Sequence, residues 1–217
     1  MRIAISAADA AALIPDGASV MIGGFMGVGS PDRIIDALVA RRVRGLTVIG
    51  NDTAFPGVGI GKLIDANCVA QAKLSHIGTN PVTQNKMIAG EIEIDLIPQG
   101  TLAERIRAGG NGLGGILTPT GVGTVVEKGK RIIEVEGRAF LLELPLRADF
   151  ALIRSRESDY NCNLTYRLTA MNFNPLMAFA ADCVIAEPDE IVPVGVIPPD
   201  AVRTPGILVH HLVERPR

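Results

Sequence analysis

Val20-Met21-Ile22-Gly23-Gly24-Phe25-Met26-Gly27-Val28-Gly29-Ser30-Pro31-Asp32 is a short apolar run that breaks into glycines and restarts as a helix. The apolar triplet, bounded by polar and glycine residues, suits a buried strand. Four glycines in seven positions then exclude a regular element. Ser30 has the chemistry of an N-cap, Pro31 fits the first helical position, and Asp32 favours the positive end of the helix dipole. Ile34, Ile35, Leu38 and Val39 give that helix one apolar face. The unit is strand, glycine loop, helix.

The same unit recurs downstream. Leu46 to Ile49 reads as a strand followed by Asn51-Asp52-Thr53, and Val69 to Leu74 as one followed by His76 to Pro81. Ile92 to Ile97 is a third, followed by Pro98-Gln99-Gly100 and by Thr101-Leu102-Ala103-Glu104, a capping box that opens a helix to about Ala108. Upstream, Ser6-Ala7-Ala8-Asp9 opens a short helix over 7–13, and Pro15-Asp16-Gly17 makes a turn. Strands alternating with helices predict βαβ units: an α/β fold with an open, mostly parallel sheet and flanking helices. Such sheets bind ligands at the carboxyl ends of their strands.

Past Gly109 the pattern changes. Residues Gly109 to Gly123 are rich in glycine and threonine without a period, which predicts an ordered loop or a lid. Arg131 to Glu136 and Arg138 to Glu143 alternate around Gly137 as a hairpin, and Ala148 to Ile153 and Cys183 to Ala186 read as further strands with a helix from Pro175 to Ala181 between them. From Glu187 the recurring prolines predict an extended tail over the surface. No linker or repeat divides residues 1–217, so one domain is expected.

Composition narrows the function. With 217 residues the chain buries roughly 70% of its unfolded surface and needs neither disulfides nor a structural metal. A net charge of −2 with no basic run argues against nucleic acid. The longest uncharged stretch, Ala108 to Val126, carries seven glycines and Pro119, so no membrane role is expected. Asp9 and Asp16 interrupt any apolar leader after Met1-Arg2-Ile3, and Cys68, Cys162 and Cys183 lie far apart, as reduced thiols of a cytoplasmic protein would.

Candidate groups follow from position. The loop Gly23 to Gly29 feeds a helix start, so it either presents N–H groups to an anion or cofactor or is a tight turn with no ligand. Gly110 to Gly115 spells Gly-x-Gly-x-x-Gly but lacks the strand-to-helix setting, and Gly61-Lys62 is followed by Leu63 in place of Ser/Thr, so neither is a nucleotide loop. Gln99 is either an amide donor at the sheet edge or an exposed loop residue. Glu104 reads as the cap partner of Thr101, and His76 as a packed loop residue. His76, His210 and His211 form no metal set, and no Gly-x-Ser-x-Gly elbow supplies a nucleophile.

Asp16 to Pro31, Asn51-Asp52-Thr53-Ala54-Phe55, Ser75 to Pro81, Pro98-Gln99-Gly100-Thr101-Leu102, Leu117 to Thr124 and Asn172-Phe173-Asn174-Pro175 are collinear blocks that resemble the family I coenzyme A transferases. The likeness is to the alpha half of the acetate/acetoacetate type. It implies a fold close to that of ribose-phosphate isomerases. It also implies CoA exchange between a short-chain acyl-CoA (acetyl- or butyryl-CoA) and a carboxylate such as acetoacetate, by a ping-pong cycle through a glutamyl-CoA thioester. In that family the nucleophilic glutamate lies in a Ser-Glu-Asn-Gly-like motif of the beta subunit. Glu157 and Glu187 stand in other surroundings, so a second chain is expected to supply it.

By the same resemblance, Gly23, Gly24, Phe25, Met26, Gly27, Val28 and Gly29 match a CoA-binding segment. Gln99 matches a supporting oxyanion donor, and Asn51 a substrate-binding position in the same cleft. Coenzyme A enters as a substrate, with no permanently bound cofactor, and the assembly implied is two alpha and two beta chains. One departure is Cys162 before Asn163-Leu164-Thr165-Tyr166, where relatives often carry glycine, which takes positive φ at less cost. Alternatives are the corresponding half of a 3-oxoadipate or succinyl:3-oxoacid transferase, or a non-catalytic CoA-binding sensor. A sugar-phosphate isomerase would need a basic phosphate cluster that the sequence lacks.

Overall fold

In the computed structural model, which describes residues 4–215, β1 (Ser19–Ile22) sits near the middle of the main sheet. On one side follow β2 (Leu46–Ile49), β3 (Val69–Leu74) and β4 (Glu93–Leu96), and on the other β8 (Ala148–Asp159), β10 (Ala181–Val192) and β11 (His211–Leu212). All of these pairings are parallel; only the two-residue β9 (Leu164–Thr165) runs antiparallel, beside β8. The chain leaves β1 in one direction for three strands and returns on its other side. Strand order therefore reverses at β1, the place where open α/β sheets leave a crevice for ligands. The Met1-Arg2-Ile3 opening lies outside the described residues, as do residues 216–217.

Alternation along β1 and β2 splits the core into two layers. Val20, Ile22, Leu46 and Val48 face one layer, which is closed by α1 (Ala7–Ala12), α2 (Asp32–Arg41), α3 (Ile60–Asp65) and α4 (Pro81–Ile88). Met21 and Ile49 point to the other face and pack with Leu102 and Ile106 of α5 (Gln99–Gly110) and with Met177 of α6 (Asn174–Met177). A smaller antiparallel sheet, in the order β5 (Ile116–Thr118), β7 (Arg138–Glu143), β6 (Arg131–Val135), lies beside α5. Among the described residues no helix is long and apolar enough to cross a membrane.

Several expectations need correction. The stretch 109–123 is not all loop, because Ile116 to Thr118 pair with Leu141 to Glu143. The helix expected over Pro175 to Ala181 ends at Met177, as Ala148 N–H bonds Ala180 O at 3.0 Å and draws the chain into β10. β8 and β10 overrun the expected 148–153 and 183–186: beyond Ile153 and Ala186 they pair with each other, Arg154 beside Glu187 and on to Asp159 beside Val192. The supposed surface tail thus starts inside the sheet, with Glu187 1% exposed. Pro188 is tolerated because β11 pairs only Ile185 and Ala186, which leaves β10 an edge strand from there on.

Candidate active site

The glycine loop continues the β1–β8 ladder for one bond, Gly23 N–H to Leu152 O at 3.0 Å, and then reverses. Phe25 and Val28 exchange both backbone hydrogen bonds, at 3.1 and 2.9 Å, around Met26 (φ 52°) and Gly27 (φ 84°). Positive φ at both central residues makes this a type I′ turn. Its tip presents Phe25 and Val28 outward, 45% and 49% exposed. The tight-turn reading of the loop is therefore right as to shape.

Two glycines here are dictated by the protein's own packing. A Cβ on Gly23 would lie 1.8 Å from Asn174 Oδ1, and one on Gly24 (φ 126°) 2.4 Å from Ser30 Oγ. Asn174, buried on α6, donates from Nδ2 to Gly29 O (3.0 Å) and Ala170 O (2.8 Å) and accepts from Arg154 N–H at 2.9 Å. Asn172 accepts from Gly24 N–H at 3.1 Å and donates to Val28 O at 2.9 Å. The two asparagines clamp the loop from one side.

The helix start behind the loop differs from expectation. Ser30 does not cap α2; it is buried, with its Oγ beside Gly24 and Gly59. Glu187 takes that role: its Oε2 accepts from Ile34 N–H at 2.9 Å, with Arg33 Nε 3.9 Å from its other oxygen. An internal carboxylate thus holds the place where an incoming anion was expected. Burial raises the Glu187 carboxyl above its usual range, and the Ile34 amide and the Arg33 and Arg154 cations offset part of that rise.

On the other side of the loop stands the end of β2. Asp52, 4% exposed, accepts from Met26 N–H (3.0 Å to Oδ2), Ala54 N–H (2.7 Å to Oδ1) and Asn51 Nδ2 (2.6 Å to Oδ2). Asn51 Oδ1 in turn accepts from Ser75 Oγ at 2.9 Å and from Gln99 Nε2 at 2.7 Å. Gln99 is the first residue of α5, which starts two residues before the expected box. Thr101 is accordingly inside the helix and Glu104 bonds Arg107 Nε at 3.1 Å, so the Thr101–Glu104 cap does not form.

The structure thus brings together residues that lie 48 positions apart, Gln99 and Asn51. Gln99 stands at the surface with one Nε2 hydrogen still available to a ligand. Asn51, expected to line the cleft, is 1% exposed and sits behind Gln99. Gln99 opens onto a cavity of about 870 Å³ walled by Phe25, Ala103, Phe173, Leu176 and Phe179, with Arg107 two turns further along α5. This apolar chamber with a few polar groups has the make-up of a small-molecule site. Among the described residues no carboxylate lines it, and no group of His, Cys, Asp or Glu there could hold a metal ion.

Sequence reasoning placed Gln99, Asn51 and the loop but gave no role to Asp52, Asn172, Asn174 or the Glu187 cap. The only local trace of the clamp is the Asn172-Phe173-Asn174-Pro175 block itself. His76 behaves as a loop residue whose backbone bridges Asp52. Cys162 adopts φ 67° and is buried, so the loop forms in the left-handed region without glycine.

Comparison with known proteins gives one answer. A profile of the family described as coenzyme A transferase matches residues 4–215. The alpha subunit of the Escherichia coli K12 acetate CoA-transferase is 55% identical over 205 residues, covering 94% of this chain and 93% of its own. The alpha subunit of the Clostridium acetobutylicum acetoacetyl-CoA:acetate/butyrate CoA transferase is 49% identical over 201 residues, 93% of this chain and 92% of its own. The Escherichia coli O157:H7 acyl-CoA transferase YdiF, solved as a thioester complex with CoA, superimposes with a TM-score of 0.86 at 24% identity and covers 96% of this chain. The likeness to YdiF is one of fold, and this chain spans about half of that solved chain, 46%.

Proposed function

Since this chain belongs to the coenzyme A transferase family, we propose that it is the alpha half of an enzyme that moves CoA between a short-chain acyl-CoA and a carboxylate such as acetoacetate. The acetate and acetoacetate relatives motivate the substrate class. The observation that carries the reading is the Gln99–Asn51 contact of 2.7 Å beside the glycine loop, at the mouth of the cavity. A carbonyl held there meets the free Gln99 N–H as a tetrahedral oxyanion develops, and a donor fixed in advance stabilises that charge without reorganisation.

The attacking group comes from a beta-type chain, whose glutamate carries CoA as a thioester between the two half-reactions. Two alpha and two beta chains assembled in the cytoplasm are the arrangement we favour, with CoA as a substrate and no resident cofactor. In the glycine loop, Phe25 and Val28 are the surfaces offered to CoA, while the glycines let the turn close against Asn174 and Ser30.

The test is CoA transfer from acetyl-CoA to acetoacetate by this chain alone and by the chain co-purified with a beta-type partner. Turnover only in the mixture supports a site completed by the partner. Turnover by this chain alone overturns the split, and binding of CoA without exchange in any mixture would favour a sensor.

A further inference from the structure

Asp52 does more than hold the glycine loop, because of what its neighbours are able to donate. A carboxylate only accepts, so Asn51 must turn its Nδ2 toward Asp52, where the distance is 2.6 Å. That leaves Asn51 Oδ1 facing outward, and an amide oxygen also only accepts. Gln99 Nε2 donates to it at 2.7 Å, and the single Ser75 hydroxyl hydrogen is shared between it at 2.9 Å and the Asn51 backbone oxygen at 2.8 Å. The direction of every bond from Asp52 to Gln99 is thereby set. Met26 N–H from the glycine loop and Ala54 N–H from the segment after β2 hold the Asp52 carboxylate in place.

From this chain of contacts we infer that Asp52 is a positioning residue, which through Asn51 fixes the side-chain amide of Gln99 as a donor toward the cavity and ties that orientation to the closed glycine loop. The inference rests on the reading of Gln99 as the oxyanion donor. Asp52→Asn keeps the shape and, with its one oxygen at the Oδ1 position that Ala54 N–H and Met26 N–H reach at 2.7 and 3.2 Å, puts an NH₂ group where Oδ2 accepted from Asn51 Nδ2. Asn51 then has a donor where it had an acceptor, and its amide and that of Gln99 are free to turn over. A reversed Gln99 offers oxygen to the oxyanion.

The experiment measures kcat and KM of the chain complexed with its beta-type partner, for Gln99→Ala, Asp52→Asn and the double variant. Gln99→Ala should lower kcat about 10²-fold, the loss of one oxyanion donor. Asp52→Asn should lower kcat by up to about 10²-fold, the scale of a mispositioned group, with KM for acyl-CoA little changed. The double variant should turn over no more slowly than Gln99→Ala, since Asp52 acts only through Gln99. Asn51→Ala, which leaves the Asp52 bonds to Met26 and Ala54 in place, should show the same non-additivity. It decides the matter if Asp52→Asn fails to co-purify with the partner.

Wild-type kcat in a folded Asp52→Asn complex, losses that multiply with those of Gln99→Ala, or an effect confined to KM would each overturn the assignment. Wild-type kcat for Gln99→Ala itself removes the donor reading and the inference with it. Failure of the reading and failure of the inference are thus told apart.

Discussion

Replacing Asn174 should damage this protein more than its single buried side chain suggests. The amide meets three backbone groups: Gly29 O, Ala170 O and Arg154 N–H, at 3.0, 2.8 and 2.9 Å. Each bond is worth about 1 kcal/mol net, and a buried group left unpaired costs more. Asn174→Ala should therefore lose about 3–5 kcal/mol. At about 2–4 °C per kcal/mol for a chain of this size, the melting midpoint should fall by roughly 6–20 °C. Asn174→Asp separates hydrogen bonding from packing. It keeps the volume but turns an oxygen toward the Gly29 and Ala170 carbonyls, so it should be at least as destabilised as the alanine variant. The assay is thermal and denaturant unfolding of the purified protein. An aspartate variant that melts with the wild type would show that shape, and not donation to those carbonyls, holds the clamp.

Three further outcomes are expected. Glu136 adopts φ 51° before Gly137 in the two-residue turn joining β6 to β7; Glu136→Asn, better suited to such turns, should raise stability by about 0.5–1 kcal/mol, read as a higher denaturant midpoint at unchanged slope. The Glu187 carboxyl is raised above its ordinary 4.5 by burial, so between that value and its folded value the native state binds more protons than the unfolded. Its unfavourable contribution is then full above the folded value and relieved as pH falls through that value toward 4.5, so the stability of the wild type relative to Glu187→Gln should rise on acidification. Ala103→Phe puts a ring into the cavity beside Gln99 and should cut kcat/KM for acyl-CoA by about tenfold with melting unchanged; a variant with wild-type kcat/KM would remove the cavity from the substrate path.

How much of this was legible from sequence depended on where each residue finds its partners. β2 and β3 came out at Leu46–Ile49 and Val69–Leu74, as read: β2 is a short, mostly apolar run ended by glycine, as buried parallel strands are, and β3 buries Val69, Ala72 and Leu74 but not Gln71 or Lys73. β8 was cut short at Ile153 because the next residues, Arg154-Ser155-Arg156-Glu157-Ser158-Asp159, have no apolar period. They remain a strand because β10 pairs with them and Asp189 meets Arg154 at 2.9 Å, a partnership set by residues 35 positions away. Gln99 and Asn51 were visible as strand-end polar residues, but their mutual contact was not. Ser30 and Thr101 were credited as caps on local grammar alone. The real cap of α2 comes from Glu187, 153 residues away from Ile34.

The clamp on the glycine loop also sets an order of events when the chain is made. Gly24 bonds Asn172 across 148 residues and Gly29 bonds Asn174 across 145. At about 5–20 residues per second, the ribosome delivers those asparagines roughly 7–30 s after the loop itself. Through that interval the N-terminal strands and helices can assemble, while Phe25 and Val28 have no clamp to hold them. The turn is therefore among the last parts of the molecule to take shape, and a stalled or clipped chain lacking residues past 171 would have neither β10 and β11 nor the asparagines that fasten the loop.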